Sequence, residues 1–387
     1  LYEWSESQGW LYGWNNMKEP VSLKPFQGYA ITQYGQPTYQ MKGKLIMHDT
    51  IVSLTSGGAM GGDNMIANSY PAPLDTKRFA DADFEGNIDK TFFIFNSGSW
   101  NEWKTKTNEG ADLAGNTPGT FTAIPILSAV ETGEQTLVAP LQAICVHANS
   151  DAKIHFNYRE HVWSAAPSNY DNMNAGLHTP QRILDEEIQS EPDYNAMLQK
   201  EWQRRDSIAK ADKARIDALR HRVRINIYGE NSGVDHIYLL ERDGYTPNYD
   251  NGYDARKMWA ENGTVNIYTT DPDGYMAVSA TNSLEGTYVG VVAGDDNAYT
   301  ITFTSVIGDS LYLKDLITNV ETPIKEGQSY HFNIAPTTDD DFRFVVLHQV
   351  KEQPFVPTGN DPVTANTYIW VDANNLHIEN APASSLA

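Results

Sequence analysis

The feature that most constrains this chain is the way its apolar residues come in short alternating runs, each closed within a few positions by Gly, Pro, Asn or Asp. Side chains on a strand point to opposite faces with a period of two, so such runs describe half-buried strands joined by turns. In the first 163 residues the runs 44–47, 91–95, 141–146 and 153–158 read this way. Between the last two, Ala148-Asn-Ser-Asp-Ala152 has the composition of a turn and predicts a local hairpin. From Val223 the alternation is strict: Val223, Ile225 and Ile227 share one face, and Arg222, Arg224 and Asn226 the other. Eight later runs, from 237–240 to 342–347, continue the rhythm. Short strands at this spacing favour antiparallel sandwiches over an α/β fold.

Between the two strand-rich stretches the period changes. Ser190 with Asp193 resembles a capping box and Pro192 suits a first helical turn. Tyr194, Leu198, Trp202, Ala209, Ile216, Leu219 and Val223 then recur near helical spacing, which predicts a helix with an apolar stripe packed on a neighbouring layer. With 387 residues the chain exceeds what a single core usually serves. The expected organisation is all-β, with two antiparallel β-sandwich domains of jelly-roll or immunoglobulin-like type at 1–165 and 222–350. A loop and long helix occupy 166–221. A linker at 351–365, containing Pro354, Pro357, Pro362 and Gly359, leads to a truncated β-module at 366–387.

Charge narrows the function classes. Fifty acidic residues against 28 basic ones leave a net charge of −22, which repels nucleic-acid phosphates and anionic lipid surfaces. No apolar run approaches the roughly 20 residues needed to cross a bilayer as a helix, so the chain is not expected to be membrane-embedded. A single cysteine, Cys145, allows neither an internal disulfide nor a thiolate metal centre. Leu1 is not an initiator Met and 1–4 already reads as strand, so the chain is expected to be a piece of a longer one.

Motifs for catalysis are missing: there is no Gly-x-Ser-x-Gly elbow, no His-Glu-x-x-His, and no phosphate loop. The glycines at 57–58 and 61–62 lack the lysine that such a loop needs and read as a turn. His147, His155 and His161 cluster in sequence but read as sheet-surface histidines. Calcium takes six to eight oxygens, which acidic loops can supply. Asp243, Asp250, Asn251 and Asp254 are the candidate calcium ligands, and solvated turns are the alternative reading of the same residues. Trp4, Trp10, Trp14, Trp100 and Trp103 would suit either a sandwich core or a sugar-stacking platform.

Three segments of the first half carry a resemblance: Lys24-Pro-Phe-Gln-Gly-Tyr-Ala30, the run from Gly62 to Asp75 that includes Asn68-Ser-Tyr-Pro71, and the run from Ala139 to Ala148. In the second half it continues through 223–227, Asp235, 249–257, 311–315 and 342–344, and ends at 371–380. In this order the blocks resemble the C-terminal β-sandwich regions of very large secreted or cell-surface proteins of Bacteroidetes, which lie just before a type IX secretion sorting tail. The chain departs from that pattern at 68–71 and in the length of its helix. The resemblance implies an extracellular, outer-surface location and a non-catalytic structural or adhesive segment. Such a segment acts as a spacer and meets neighbouring domains, other surface proteins or glycans. The second expectation is a carbohydrate-binding accessory region of a larger secreted enzyme. No cofactor is expected beyond the calcium candidate.

Overall fold

The computed structural model describes residues 1–7, 13–17, 22–31, 42–96, 120–133, 137–163, 191–260, 263–348, 367–371 and 376–380. The chain divides into two compact units, Leu1–His348 and Gln349–Ala387. It is mostly β, with few helices.

The first unit begins with small antiparallel sheets. β1 (Tyr2–Trp4), β2 (Trp14–Asn16) and β3 (Tyr29–Ala30) pair in the order β2-β1-β3. β4 (Thr50–Leu54), β7 (Phe84–Glu85) and β12 (Ala152–Phe156) form a second sheet, ordered β4-β12-β7. β5 (Asp63–Ala67), β8 (Thr91–Asn96), β9 (Thr120–Pro125) and β11 (Ala143–His147) form a third, ordered β5-β11-β8-β9, and β6 (Leu74–Asp75) pairs with β10 (Leu137–Val138). The inner faces of the second and third sheets meet. Leu54, Ile154 and Phe156 from one share a buried cluster with Ile66, Phe92, Ile124, Ile144 and Val146 from the other.

Two local expectations are corrected here. Residues 44–47 form no strand. The segment 148–152 makes no hairpin: β11 pairs with β5 and β8, while β12 pairs with β4 and β7. The turn carries the chain from one sheet to the other, because Ala148 is held by Gly62 and Ile88 instead of by the strand that follows. Tyr70 is 1% exposed, and its hydroxyl lies 3.1 Å from both the His48 and the Phe156 carbonyls, sharing its proton between them. Asn68 beside it is equally buried. Its Oδ1 accepts from the Tyr70 amide at 3.0 Å and its Nδ2 donates to the carbonyls of Ala72 and Val138. That polar side chain replaces ladder bonds where the chain leaves β5, so burying it is tolerated.

The later strands join one sheet of eleven. β13 (His221–Gly229), β14 (Gly233–Glu241), β15 (Ala255–Arg256), β16 (Asn266–Asp271), β17 (Gly274–Thr281), β18 (Tyr288–Val292), β19 (Ala298–Ile307), β20 (Leu311–Asp315), β21 (Glu321–Pro323), β22 (Ser329–Asn333) and β23 (Asp339–His348) follow in sequence. The ladder runs β21-β20-β23-β18-β16-β17-β14-β13-β19-β22, with β15 on β17. It curls until its two ends nearly meet. Tyr330 of β22 donates to Asp315 at the end of β20 at 2.7 Å, and Phe332 packs edge-on against Phe344 of β23 with ring centroids 5.1 Å apart. The alternation of β13 is as expected, with Val223, Ile225 and Ile227 fully buried in the inner core.

The expectation of purely antiparallel pairing is corrected: β14 and β17 are parallel. A parallel neighbour needs a long crossover, and 242–273 provides it by way of β15 and β16. The result is a nearly closed, mixed, barrel-like sheet.

β14 is buried on both sides. Ile237 and Leu239 point into the inner core, while Tyr238 and Leu240 join Phe93, Ala123 and Cys145 of the four-stranded sheet in a separate cluster. Cys145 pairs with Phe93, and Phe93 with Ala123, so one row across three strands faces the large sheet. Burying a Leu- or Phe-sized side chain contributes about 1.5–3 kcal/mol.

A helix spans Glu191–Asp217, as the spacing predicts, although Ser190 and the side chains of Tyr194 and Leu198 lie outside the described residues. Its apolar stripe is corrected: Trp202 is 69% exposed, Ala209 is exposed and Ile216 half-buried, and the buried members, Leu219 and Val223, lie past its end. Charge pairs hold the helix instead. Arg78 meets Asp212 at 2.6 Å and Arg204 meets Glu160 at 2.9 Å. Within the helix, hydrogen bonds from Arg204 and Arg205 push the Glu201 carboxyl down to about 2.

The second unit contains an antiparallel pair, β24 (Thr367–Val371) and β25 (Leu376–Asn380), in the register Thr367↔Asn380 to Val371↔Leu376. The expected linker at 351–365 lies outside the described residues.

Candidate functional site

The four candidate calcium ligands lie on one excursion between β14 and β15, and the structure gives each a partner within the protein. Asp243 is exposed and pairs with Arg220 at 2.9 Å. Asp250 Oδ2 accepts from the Thr246 hydroxyl at 2.8 Å. Asp254 is 2% exposed, and its two oxygens accept from the backbone N–H groups of Ala280 at 2.6 Å and Asp250 at 2.7 Å. Burial raises its carboxyl to about 7, against the opposing effect of those amides. Asn251 reaches out of the loop: its Oδ1 accepts from the Lys90 amide and its Nδ2 donates to the Ile88 carbonyl, both at 2.8 Å.

This excursion joins the two halves of the first unit. The Gly252 carbonyl accepts from Leu127 N at 2.7 Å, and Ser128 Oγ donates to the Tyr253 carbonyl at 2.7 Å. Gly252 has φ of +91°, and a Cβ there would stand 3.0 Å from the Leu127 side chain, so only glycine lets the loop lie this close. The short helical turn Ala129–Thr132 follows, and its Glu131 carboxylate is fully buried. Arg215 of the long helix grips it through Nε and Nη2, each at 2.9 Å, and Arg242 adds a contact at 3.2 Å. Arg222 donates to the Glu131 carbonyl at 3.0 Å. Arg242 also lies over the Tyr245 ring, 4.2 Å from its centroid, and burial pushes the Tyr245 hydroxyl up. One carboxylate thus ties together the first half, the helix and the large sheet.

The glycine-rich loop does hold an anion, and the chain itself supplies it. Glu6 Oε1 accepts from the amides of Gly58 at 2.8 Å and Gly62 at 3.0 Å, and Oε2 accepts from the Thr55 hydroxyl. An open cleft of about 890 Å³ runs alongside, lined by Glu3, Trp4, Glu6 and Lys24 among others.

His147, His155 and His161 go to three different carboxylates, those of Asp63, Glu85 and Asp83. The bond to Asp63 raises the His147 imidazole, whereas burial lowers that of His161, which stacks on Phe79 at 3.8 Å. Burial raises the Cys145 thiol.

Of the tryptophans singled out from the sequence, Trp4 and Trp14 pack edge to face at 5.0 Å and are half-buried. Trp10, Trp100 and Trp103 lie outside the described residues. Sequence reasoning passed over Trp259. It is 43% exposed and packs against Tyr268 and Tyr275, the latter also 43% exposed, with centroids 5.1 and 5.4 Å away. Its neighbourhood of tyrosines on two paired strands was the available signal.

The chain is similar to the minor fimbrium subunit Mfa5 of Porphyromonas gingivalis, with 25% identity over 336 residues. That match covers 84% of this chain, which spans about a quarter (24%) of the length of the relative. No family model matches the chain. No solved structure matches it.

Proposed function

We propose that the chain is a structural or adhesive, non-catalytic segment of a larger protein on the outer cell surface, in contact with other fimbrial or surface proteins. The similarity to a fimbrium subunit across most of the chain carries this reading. The architecture supports it: two strand-rich halves, taken as 1–165 and 222–350, are coupled through Glu131, Asn251 and a shared apolar layer. A coupled pair suits a stiff spacer. The finer reading, type IX export, rests on the sequence pattern at 371–380 and on the β24–β25 ladder as the opening of a sorting module. Surface biotinylation of intact cells of the producing bacterium tests the location. Labelling without lysis is expected, and label acquired only after lysis would overturn the proposal.

Trp259 and Tyr275 favour carbohydrate binding as the second reading, since exposed aromatic faces suit the apolar faces of sugars. A glycan array with the intact chain and with Trp259→Ala separates the two. Selective binding lost in the variant supports the accessory role, and an array without signal leaves the spacer.

A further inference from the structure

At one end of the large sheet three strand termini converge. β13 opens at His221, its cross-strand partner Glu241 closes β14, and β23 ends at His348. The turn between β19 and β20 crosses this end, carrying Asp309 past His221 and placing Leu311 opposite His348. One ligand atom from each of His221, Glu241 and His348 lies within 4.8 Å of the others. The Glu241 side chain is 5% exposed, and its Oε2 is shared: His221 Nδ1 stands 2.9 Å from it and His348 Nε2 3.2 Å. The rings approach at 79°, with centroids 4.9 Å apart.

The hydrogen bonds around the cluster expose an unmet need. His221 Nε2 lies 2.9 Å from the Asp309 carbonyl oxygen, which can only accept, so the proton of a neutral ring sits on Nε2. Nδ1 then offers a lone pair to a carboxylate oxygen that also only accepts. His348 Nε2 is buried and makes no hydrogen bond, although it faces the same oxygen. With three donor atoms this close and no proton between neutral rings and the carboxylate, a cation bound among them would satisfy all three.

We propose that His221 Nδ1, Glu241 Oε2 and His348 Nε2 bind a divalent transition ion of the zinc type, leaving a fourth position for water. Two imidazoles and one carboxylate are a donor set for zinc and not for calcium, which takes oxygen ligands. Bonds of about 2.0–2.1 Å in a tetrahedron set ligands about 3.3 Å apart, close to the two separations found. The Asp309 carbonyl behind His221 is the outer partner that metal-bound histidines ordinarily have, fixing tautomer and ring orientation. Gly308 makes room for that ring: its φ is +86°, and a Cβ would stand 2.3 Å from it. Of the charged neighbours, Arg220 contacts Glu241 Oε1 at 3.0 Å, but Asp243 pairs with the same guanidinium at 2.9 Å. The Glu285 carboxylate accepts the His348 amide and anchors the third ligand.

The test is calorimetric titration of zinc chloride into the EDTA-treated full chain, with the visible spectrum of the cobalt(II) form as a second readout. One ion per chain and a tetrahedral cobalt spectrum are expected. His348→Ala, and Gly308→Ala without removing a ligand, should each weaken binding at least ~10-fold, the scale seen when a site's partners are disturbed. His331→Ala, at an exposed histidine on β22, should leave it unchanged. Absence of stoichiometric zinc binding by the unmutated chain overturns the proposal, as does binding that survives a combined His221→Ala and His348→Ala change. Circular dichroism of each variant separates a lost site from a lost fold.

Discussion

Arg215 grips Glu131 through two contacts of 2.9 Å, one to each carboxylate oxygen, and this pair closes the junction between the long helix and the first half of the chain. Glu131 has no access to water, and without Arg215 its carboxylate keeps only the longer Arg242 contact of 3.2 Å. Arg215→Ala should cost about 1.5–3 kcal/mol in urea unfolding, the scale of hydrogen bonds to a charged group. It should also open the helix to trypsin before the strands are cut. A variant as stable and as resistant as the parent would remove Glu131 from the junction.

Lys257 and Asp235 form a second buried pair, with side chains 3% and 1% exposed. Asp235 Oδ2 also accepts from the Ile267 amide at 2.8 Å. Lys257→Met alone leaves the carboxylate unpaired and should cost about 3–5 kcal/mol. Adding Asp235→Asn removes the charge yet keeps an acceptor for Ile267, so the double variant should regain most of that loss. Equal midpoints for the single and double variants would count against a charge penalty.

Two buried groups give opposite pH dependences. Asp254 is raised from 3.8 to about 7 by burial, so the native state keeps a proton that the unfolded chain gives up. Its contribution to stability is complete below about pH 4 and is lost as pH rises through 7. His236 is lowered from 6.5 to about 3 by burial, with Arg224 and Lys257 adding to the effect. Its contribution is complete above pH 6.5 and is lost as pH falls toward 3. Asp254→Asn should therefore flatten the loss between pH 4 and 7, and His236→Gln the loss below pH 6. Urea midpoints across pH 4–8 that run parallel to the parent for both variants would refute the assignment.

Calcium should leave the melting temperature unchanged, because both oxygens of Asp254 already accept backbone amides and Asp243 is turned to Arg220. A site filled at 100 times its dissociation constant would stabilise the fold by about 2.7 kcal/mol, which a thermal melt resolves. A rise that Asp250→Asn abolishes would establish the loop as a cation site.

What the sequence made legible was local. Val223, Ile225 and Ile227 share a face because strand geometry fixes alternation within a few residues, and their complete burial follows once that face finds a core. Residues 148–152 showed that the chain reverses there but not which strand receives it, since turn residues encode geometry and not partners. Helical spacing located 191–217 but misjudged what holds it: Asp212, Arg204 and Arg215 bind residues far away in sequence, and no periodicity records such pairs. Among the site candidates, the clustering of Asp250, Asn251 and Asp254 was readable. The reach of Asn251 to Ile88 and Lys90 was not, nor was the convergence of His221, Glu241 and His348, because both depend on how a curled sheet returns on itself.

The double-sided burial of β14 has a practical consequence for anyone dissecting this protein. Tyr238 and Leu240 are wall to one half and ceiling to the other, so a truncation between the halves would put that apolar row, or its counterpart around Phe93 and Cys145, into water. Residues 1–348 should therefore be kept together when the protein is dissected, with cuts falling beyond His348 and not beside the helix.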